Sequence, residues 1–130
     1  MSTRSLLIFV GLSGAVMVAL GAYGAHELKG VIDSGLLSMF QKGVRYQSSH
    51  TLALFGAAIF LMHYPKSQWM KIAAAAFCIG IILFSGSLYI AVFMGIKSVK
   101  ILTPLGGVAF IVGWLSLSWA AYRDIPLHKV

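Results

Sequence analysis

Charge is what this sequence has least of. Only 10% of its 130 residues are charged, against about 25% in an ordinary soluble domain. A surface facing water cannot be covered with so little polarity. Since 59% of the chain is hydrophobic, most of its surface must face lipid. Acid is scarcer still: Glu27, Asp33 and Asp124 stand against ten Lys and Arg, a net charge of +7. Those cations are scattered between apolar blocks and form no basic cluster. Anionic lipid headgroups, not nucleic acid, are therefore the expected partners. A single cysteine, Cys78, excludes an intramolecular disulfide. It lies among Ala, Phe and Ile, whereas a reactive thiol needs an electropositive, partly exposed setting. Also missing are a Walker loop, a Rossmann glycine fingerprint, an H-E-x-x-H pair and a nucleophile elbow. No His/Cys/Asp/Glu cluster has metal-ligand spacing. No enzyme activity and no cofactor are expected.

Apolar runs are abundant instead. A membrane-spanning helix needs about 20 mostly apolar residues. Leu6–Ala25, Ile72–Ile96 and Ile101–Tyr122 qualify directly. Tyr46–Tyr64 is a weaker fourth, with a polar first half, YQSSHT, and an apolar second half, LALFGAAIFLM. Its polar end should face other helices or a wet cavity. Helix one is longer than the apolar core of a signal peptide and reads as a retained span. Between helices one and two, residues 31–44 carry Ile32, Leu36, Met39, Phe40 and Val44 on one helical stripe, with polar residues opposite. This spacing predicts an interfacial amphipathic helix, capped by Asp33 or Ser34.

The short links HYPKSQWMK and GIKSVK make successive helices antiparallel neighbours. The sequence thus reads as an all-α membrane protein of one domain, 1–130. It is expected to be a four-helix transmembrane bundle with one surface helix between helices one and two, spans 6–25, 46–64, 72–96 and 101–122. Four spans put both termini on one side. Arg4, Lys66, Lys71, Arg123 and Lys129 lie there; Lys29, Lys42, Arg45, Lys97 and Lys100 lie opposite. Five against five leaves the orientation undecided by the positive-inside rule.

Small residues recur at three- and four-residue spacing in each span, as close helix contact in lipid requires. They are Gly11, Gly14, Gly21 and Ala25; Ser49, Ala53 and Gly56; Ala73, Ala76, Gly80 and Ser87; and Gly106, Ala109, Gly113, Ser116 and Ala120. Ser85 lies off its stripe, and its hydroxyl is expected on the Ile81 carbonyl of its own helix. Thr103 is expected to cap helix four, and Pro104 suits its first turn. Gly106 and Gly107 then let another backbone, or a ligand, come close.

The polar residues gather in one half of the bundle: His26, Arg45, Tyr46, His50, Ser85, Ser87, Tyr89, Thr103, Gly106 and Gly107. An ionisable residue at the depth of His50 is a functional-site hypothesis by default. Two readings stand side by side. The cluster locks the bundle, with Glu27 paired to Arg45 and His50 bonded to Tyr89 or Ser87. Alternatively it is a site, either for a small oligomeric carrier with a proton-handling His50 or for a haem or metal held by His26 and His50. A membrane-protein partner or homo-oligomer is a further expectation.

The segments GAYGAHELK, YQSSHTLAL, LFSGSLY and TPLGGVAFIVGW stand in the order and spacing of a known family. Over roughly residues 5–120 the chain resembles the domain-of-unknown-function family 423, of the YgdD and YwdK type. That resemblance implies a small multi-pass membrane protein of the bacterial inner membrane without an established activity. It brings no catalytic assignment. The family motif falls on Gly24, His26, Tyr46, His50, Ser85, Gly86, Ser87, Tyr89, Thr103, Pro104, Gly106 and Gly107.

Overall fold

A computed structural model describes residues 1–127, which include no β-strand; Lys129 of the terminal cations falls outside them. Helix α1, Thr3–Tyr23, continues through a π-helical turn, Gly24–Leu28. Gly30, at φ +82°, ends it, as a residue without Cβ can. Helix α2 is Ser34–His63. Helix α3, Gln68–Gly80, passes through a second π turn, Ile81–Ser85, into α4, Gly86–Met94. Gly95, at φ +67°, closes α4. A 3-10 turn, Lys97–Ile101, leads into α5, Leu102–Asp124. Three continuous helices are long and apolar enough to cross a membrane: Thr3–Leu28, Gln68–Met94 and Lys97–Asp124.

The separate surface helix expected at 31–44 is absent as such. Asp33 caps α2, its carboxylate accepting from the Gly35 amide at 2.9 Å, and the helix then runs unbroken past residue 45. The expected division rested on polarity alone, and nothing between 44 and 50 breaks a helix. The hydroxyls there fold back instead: Ser48 donates to the Val44 carbonyl at 2.7 Å and Ser49 to that of Arg45 at 3.1 Å. Such back-bonding keeps a polar turn helical. Thirty residues make a rod of about 45 Å, longer than the hydrocarbon core of about 30 Å.

Helix α1 packs along α2, α2 packs against α3 and α4, and α3 packs against α5 in the most extensive contact of the fold. The α3–α5 pair is held by rings set into glycine gaps. A Cβ at Gly113 would lie 2.6 Å from the Phe77 ring, and one at Gly80 would lie 2.3 Å from the Phe110 ring. A Cβ at Gly106 would lie 2.4 Å from the backbone nitrogen of Phe84. One turn further, the Ser87 and Thr103 hydroxyls are 2.5 Å apart. Thus 77 faces 113, 80 faces 110, 84 faces 106 and 87 faces 103: one antiparallel register with identical steps on both strands of the pair. At the other end Ser67 caps α3, its hydroxyl accepting from the Met70 amide, and donates to the Asp124 carboxylate of α5.

The small-residue stripes are borne out on α3 and α5, where Ala73, Ala76, Gly80 and Ser87, and Gly106, Gly113, Ser116 and Ala120, are buried. They are not on α1 and α2. Gly11, Ser49 and Gly56 are exposed, and nothing approaches a Cβ at Gly11, Gly14 or Gly56 within 4 Å. The α2 contact face instead carries Phe40, Gly43, Gln47, His50, Leu54 and Leu61. Leu54, Ala57, Ala58, Met70, Ala74, Phe77, Phe110 and Ala120 form the apolar core at the termini end of the helices.

Gly106→Ala is expected to lower thermal stability in detergent by about 1–3 kcal/mol, because the added carbon meets backbone that cannot swing away. Gly14→Ala should leave the melting temperature unchanged or raise it. Equal melting temperatures for the two variants would contradict the close α4–α5 approach.

Candidate functional site

Away from the apolar core, the buried polar side chains divide into three hydrogen-bonded sets. The first joins α1, α2 and α4. Gln47, 4% exposed, donates through its amide nitrogen to the Ser13 carbonyl at 3.2 Å and the Ser13 hydroxyl at 3.1 Å. A carbonyl only accepts, so the Gln47 NH₂ must point there. Its oxygen then accepts from the Tyr89 hydroxyl at 2.6 Å. The Ser13 and Thr51 hydroxyls are 2.6 Å apart. The Tyr89 ring lies on Gly43, where a Cβ would be 2.8 Å from it. The Gly43 carbonyl accepts from Ser85 at 2.7 Å.

The second set joins α4 to α5. Ser87 donates to the Phe84 carbonyl at 2.9 Å. Its only proton is thereby used, so Thr103 donates to the Ser87 oxygen. Thr103 is therefore no helix cap: α5 starts without a side-chain cap bond. Ser85 likewise bonds across to α2 and not to Ile81 as expected. The π turn at 81–85 supplies the reason, since widening the helix re-aims its side chains.

His50 builds the third set, between α2 and α5, which have little backbone contact of their own. Trp114 Nε1–H donates to His50 Nε2 at 3.1 Å. Indole can only donate, so Nε2 carries the lone pair. Nδ1, 2.7 Å from the Tyr46 carbonyl, then carries the proton. The imidazole is neutral, of fixed tautomer, with both nitrogens engaged. It stacks on Phe110 at 3.5 Å between centroids, while Tyr46 stacks on Phe84 at 4.4 Å. The expected His50 partners, Tyr89 and Ser87, belong to the other two sets.

His26, on the first π turn, is exposed, as are Glu27 and Arg45. No ion pair joins Glu27 to Arg45 among the described residues. His50 keeps no free lone pair for a metal, and no group of three or more His, Cys, Asp or Glu among the described residues could hold one. Every buried side-chain nitrogen and oxygen described has a partner. Of the ten site residues read from the sequence, Tyr46, His50 and Gly107 line one groove with Phe84, Pro104 and Trp114, about 540 Å³ in volume. Ser85, Ser87, Tyr89, Thr103 and Gly106 form helix contacts. Sequence reasoning missed Ser13, Gln47, Thr51 and Trp114. For Gln47 and Thr51 a signal existed: both fall on the three-and-four spacing that runs from Phe40 to Leu61.

A family model described as a protein of unknown function, DUF423, matches residues 20–107. The chain is 38% identical over 123 residues to the UPF0382 inner membrane protein YgdD of Escherichia coli, covering 95% of this chain and 93% of that one. It is 38% identical over 120 residues to the UPF0382 membrane protein YwdK of Bacillus subtilis, covering 92% and 98%. A UPF0382 membrane protein of Haemophilus influenzae is 36% identical over 121 residues, covering 93% and 96%. No solved structure matches.

Tyr89→Phe strands the Gln47 oxygen and is expected to cost about 0.6–1.7 kcal/mol, between the mean and the maximum measured for hydrogen bonds between membrane helices. Gln47→Leu should cost more, and adding Tyr89→Phe to it should cost almost nothing further. Additive losses in thermal melts of the three variants would break the link between α2 and α4.

Proposed function

The chain belongs to the DUF423 family of membrane proteins, and we propose that its role in the bilayer is non-enzymatic. It acts by packing, by holding lipid headgroups, or by supporting a membrane partner. The observation that carries this reading is the complete mutual engagement of the buried polar groups. Chemistry needs a group with spare capacity, such as a base with a free lone pair or a nucleophile beside one. Here Ser13, Gln47, Thr51, Ser85, Ser87, Tyr89, Thr103 and His50 are each hydrogen-bonded to another helix. A proton-handling His50 would first have to give up its Trp114 bond, and the only carboxylates of the spanning helices, Glu27 and Asp124, stand at their ends.

The same reading has the chain cross the membrane four times, with α2 as the second span. The outer turns of α2, rich in exposed polar positions, then stand at headgroup depth on the same membrane face as the 3-10 turn at 97–101. This placement does for α2 what a separate surface helix would have done. A helix with a polar first half is admitted to the bilayer because Gln47 and Thr51 face its neighbours and both nitrogens of His50 are bonded within the protein.

Two measurements test this. Reporter tags at the two termini are expected on the same face of the membrane; opposite faces would remove the four-span arrangement. His50→Ala is expected to lower the melting temperature in detergent, with any cellular defect tracking the loss of folded protein. A His50→Ala protein that stays fully folded while a cellular phenotype vanishes would replace the structural role with a chemical one.

A further inference from the structure

We infer that the α2–α5 groove seats one acyl chain of an anionic phospholipid, with the phosphate held by Lys42 and Lys100. The inference rests on the non-enzymatic reading and names the ligand class it leaves open. The groove's volume of about 540 Å³ falls within the roughly 300–1,000 Å³ usual for small-molecule sites. Its floor is Phe84, Phe110 and His50, and Pro104, Gly107 and Trp114 form the α5 wall. The second π turn, at Ile81–Ser85, sets Phe84 there, and such turns recur at functional sites.

The chemistry of the lining selects the occupant. The nitrogens of His50 and Trp114 are consumed by each other and by the Tyr46 carbonyl. The groove therefore offers rings and methylenes, and the half-exposed Tyr46 hydroxyl, for which no hydrogen bond is found, is the one free side-chain polar group among its lining residues. A ligand with several polar groups would pay to desolvate them there and find only the Tyr46 hydroxyl as a partner. A hydrocarbon chain pays nothing. Gly107 keeps the slot open: only the rim of the Phe84 ring comes within 4 Å of a Cβ built there.

Charge selects the headgroup. Lys42 lies one helical turn outward from Tyr46 on the same face of α2. Lys100 sits in the 3-10 turn that opens into α5, one turn before Pro104. Both are exposed, and no acid pairs with either among the described residues. Two unpaired ammonium groups, each one turn outward from a residue that lines the slot, match a phosphate attached to an acyl chain.

The test uses the full chain with Trp114 as its only tryptophan, through Trp69→Phe and Trp119→Phe. It is placed in phosphatidylcholine bilayers carrying a minor fraction of lipid with brominated chains. Bromine quenches indole on contact. The brominated lipid is either phosphatidylglycerol or phosphatidylcholine at the same mole fraction. Phosphatidylglycerol is expected to quench Trp114 preferentially, with a relative affinity of about fivefold for each lysine engaged. Lys42→Gln with Lys100→Gln should bring the two lipids level without moving the melting temperature. Gly107→Phe should fill the slot and reduce quenching by both. Equal quenching of the folded parent protein by the two lipids would mean surface lipid only and would overturn the inference. Trp114 shielded from both lipids would mean that a second copy of the chain covers the groove, which also overturns it. Neither result touches the non-enzymatic reading, which stands or falls on the folded state and phenotype of His50→Ala.

Discussion

The seating of the Phe84 backbone against Gly106 is the contact on which the rest of this structure depends. In lipid there is little hydrophobic force between helices, so attraction must come from close packing and from hydrogen bonds. A glycine at 106 brings two backbones to a distance that any Cβ would forbid. Once that contact is set, the register of α3 and α4 on α5 follows. Phe77 and Phe110 each enter the gap left by the other helix's glycine. Ser87 meets Thr103 at one end and Ser67 meets Asp124 at the other. A shift by one residue would place every one of these groups beside the wrong partner.

The polar residues extend the same logic across the remaining helices. α1 and α2 have no run of glycine sockets between them; they are joined by Ser13, Gln47 and Thr51. Tyr89 carries the connection on to α4. The cost of placing an amide and three hydroxyls in a bilayer is offset because each finds its partner on another helix. Between α2 and α5 only side chains bridge the gap. The His50–Trp114 bond lies at the side of an open groove. The interior side chains are therefore largely bonded to one another while one flank keeps an open groove, the arrangement on which the proposed non-enzymatic role rests.

Much of the fold was legible because membrane helices are written in long apolar runs. Leu6–Ala25 and Ile101–Tyr122 each fall within a helix of nearly the same bounds, and Ile72–Ile96 overruns Gln68–Met94 by the two residues that follow its closing turn. The stripes on α3 and α5 were legible for a related reason, since glycine and serine at three- and four-residue spacing have one use in a packed helix pair. The stripes on α1 and α2 misled, because small residues are also tolerated on a face turned to lipid, and spacing cannot tell the two apart. The break placed near residue 45 misled similarly. It was a change of polarity, and a helix ends only where its hydrogen bonding or dihedral angles are interrupted.

By itself the sequence determined membrane residence, helical class and the approximate bounds of the three long apolar helices. These follow from composition and periodicity, which act locally and survive any rearrangement of neighbours. Partner choice was decided only by tertiary structure. That His50 bonds Trp114 and not Tyr89, that Tyr89 bonds Gln47, and that Ser85 reaches α2 all depend on the rotation of one helix against another. The π turn at Ile81–Ser85 alters that rotation midway along a span. No pattern of residue types announces such a turn, because its extra residue is accommodated by the packing around it.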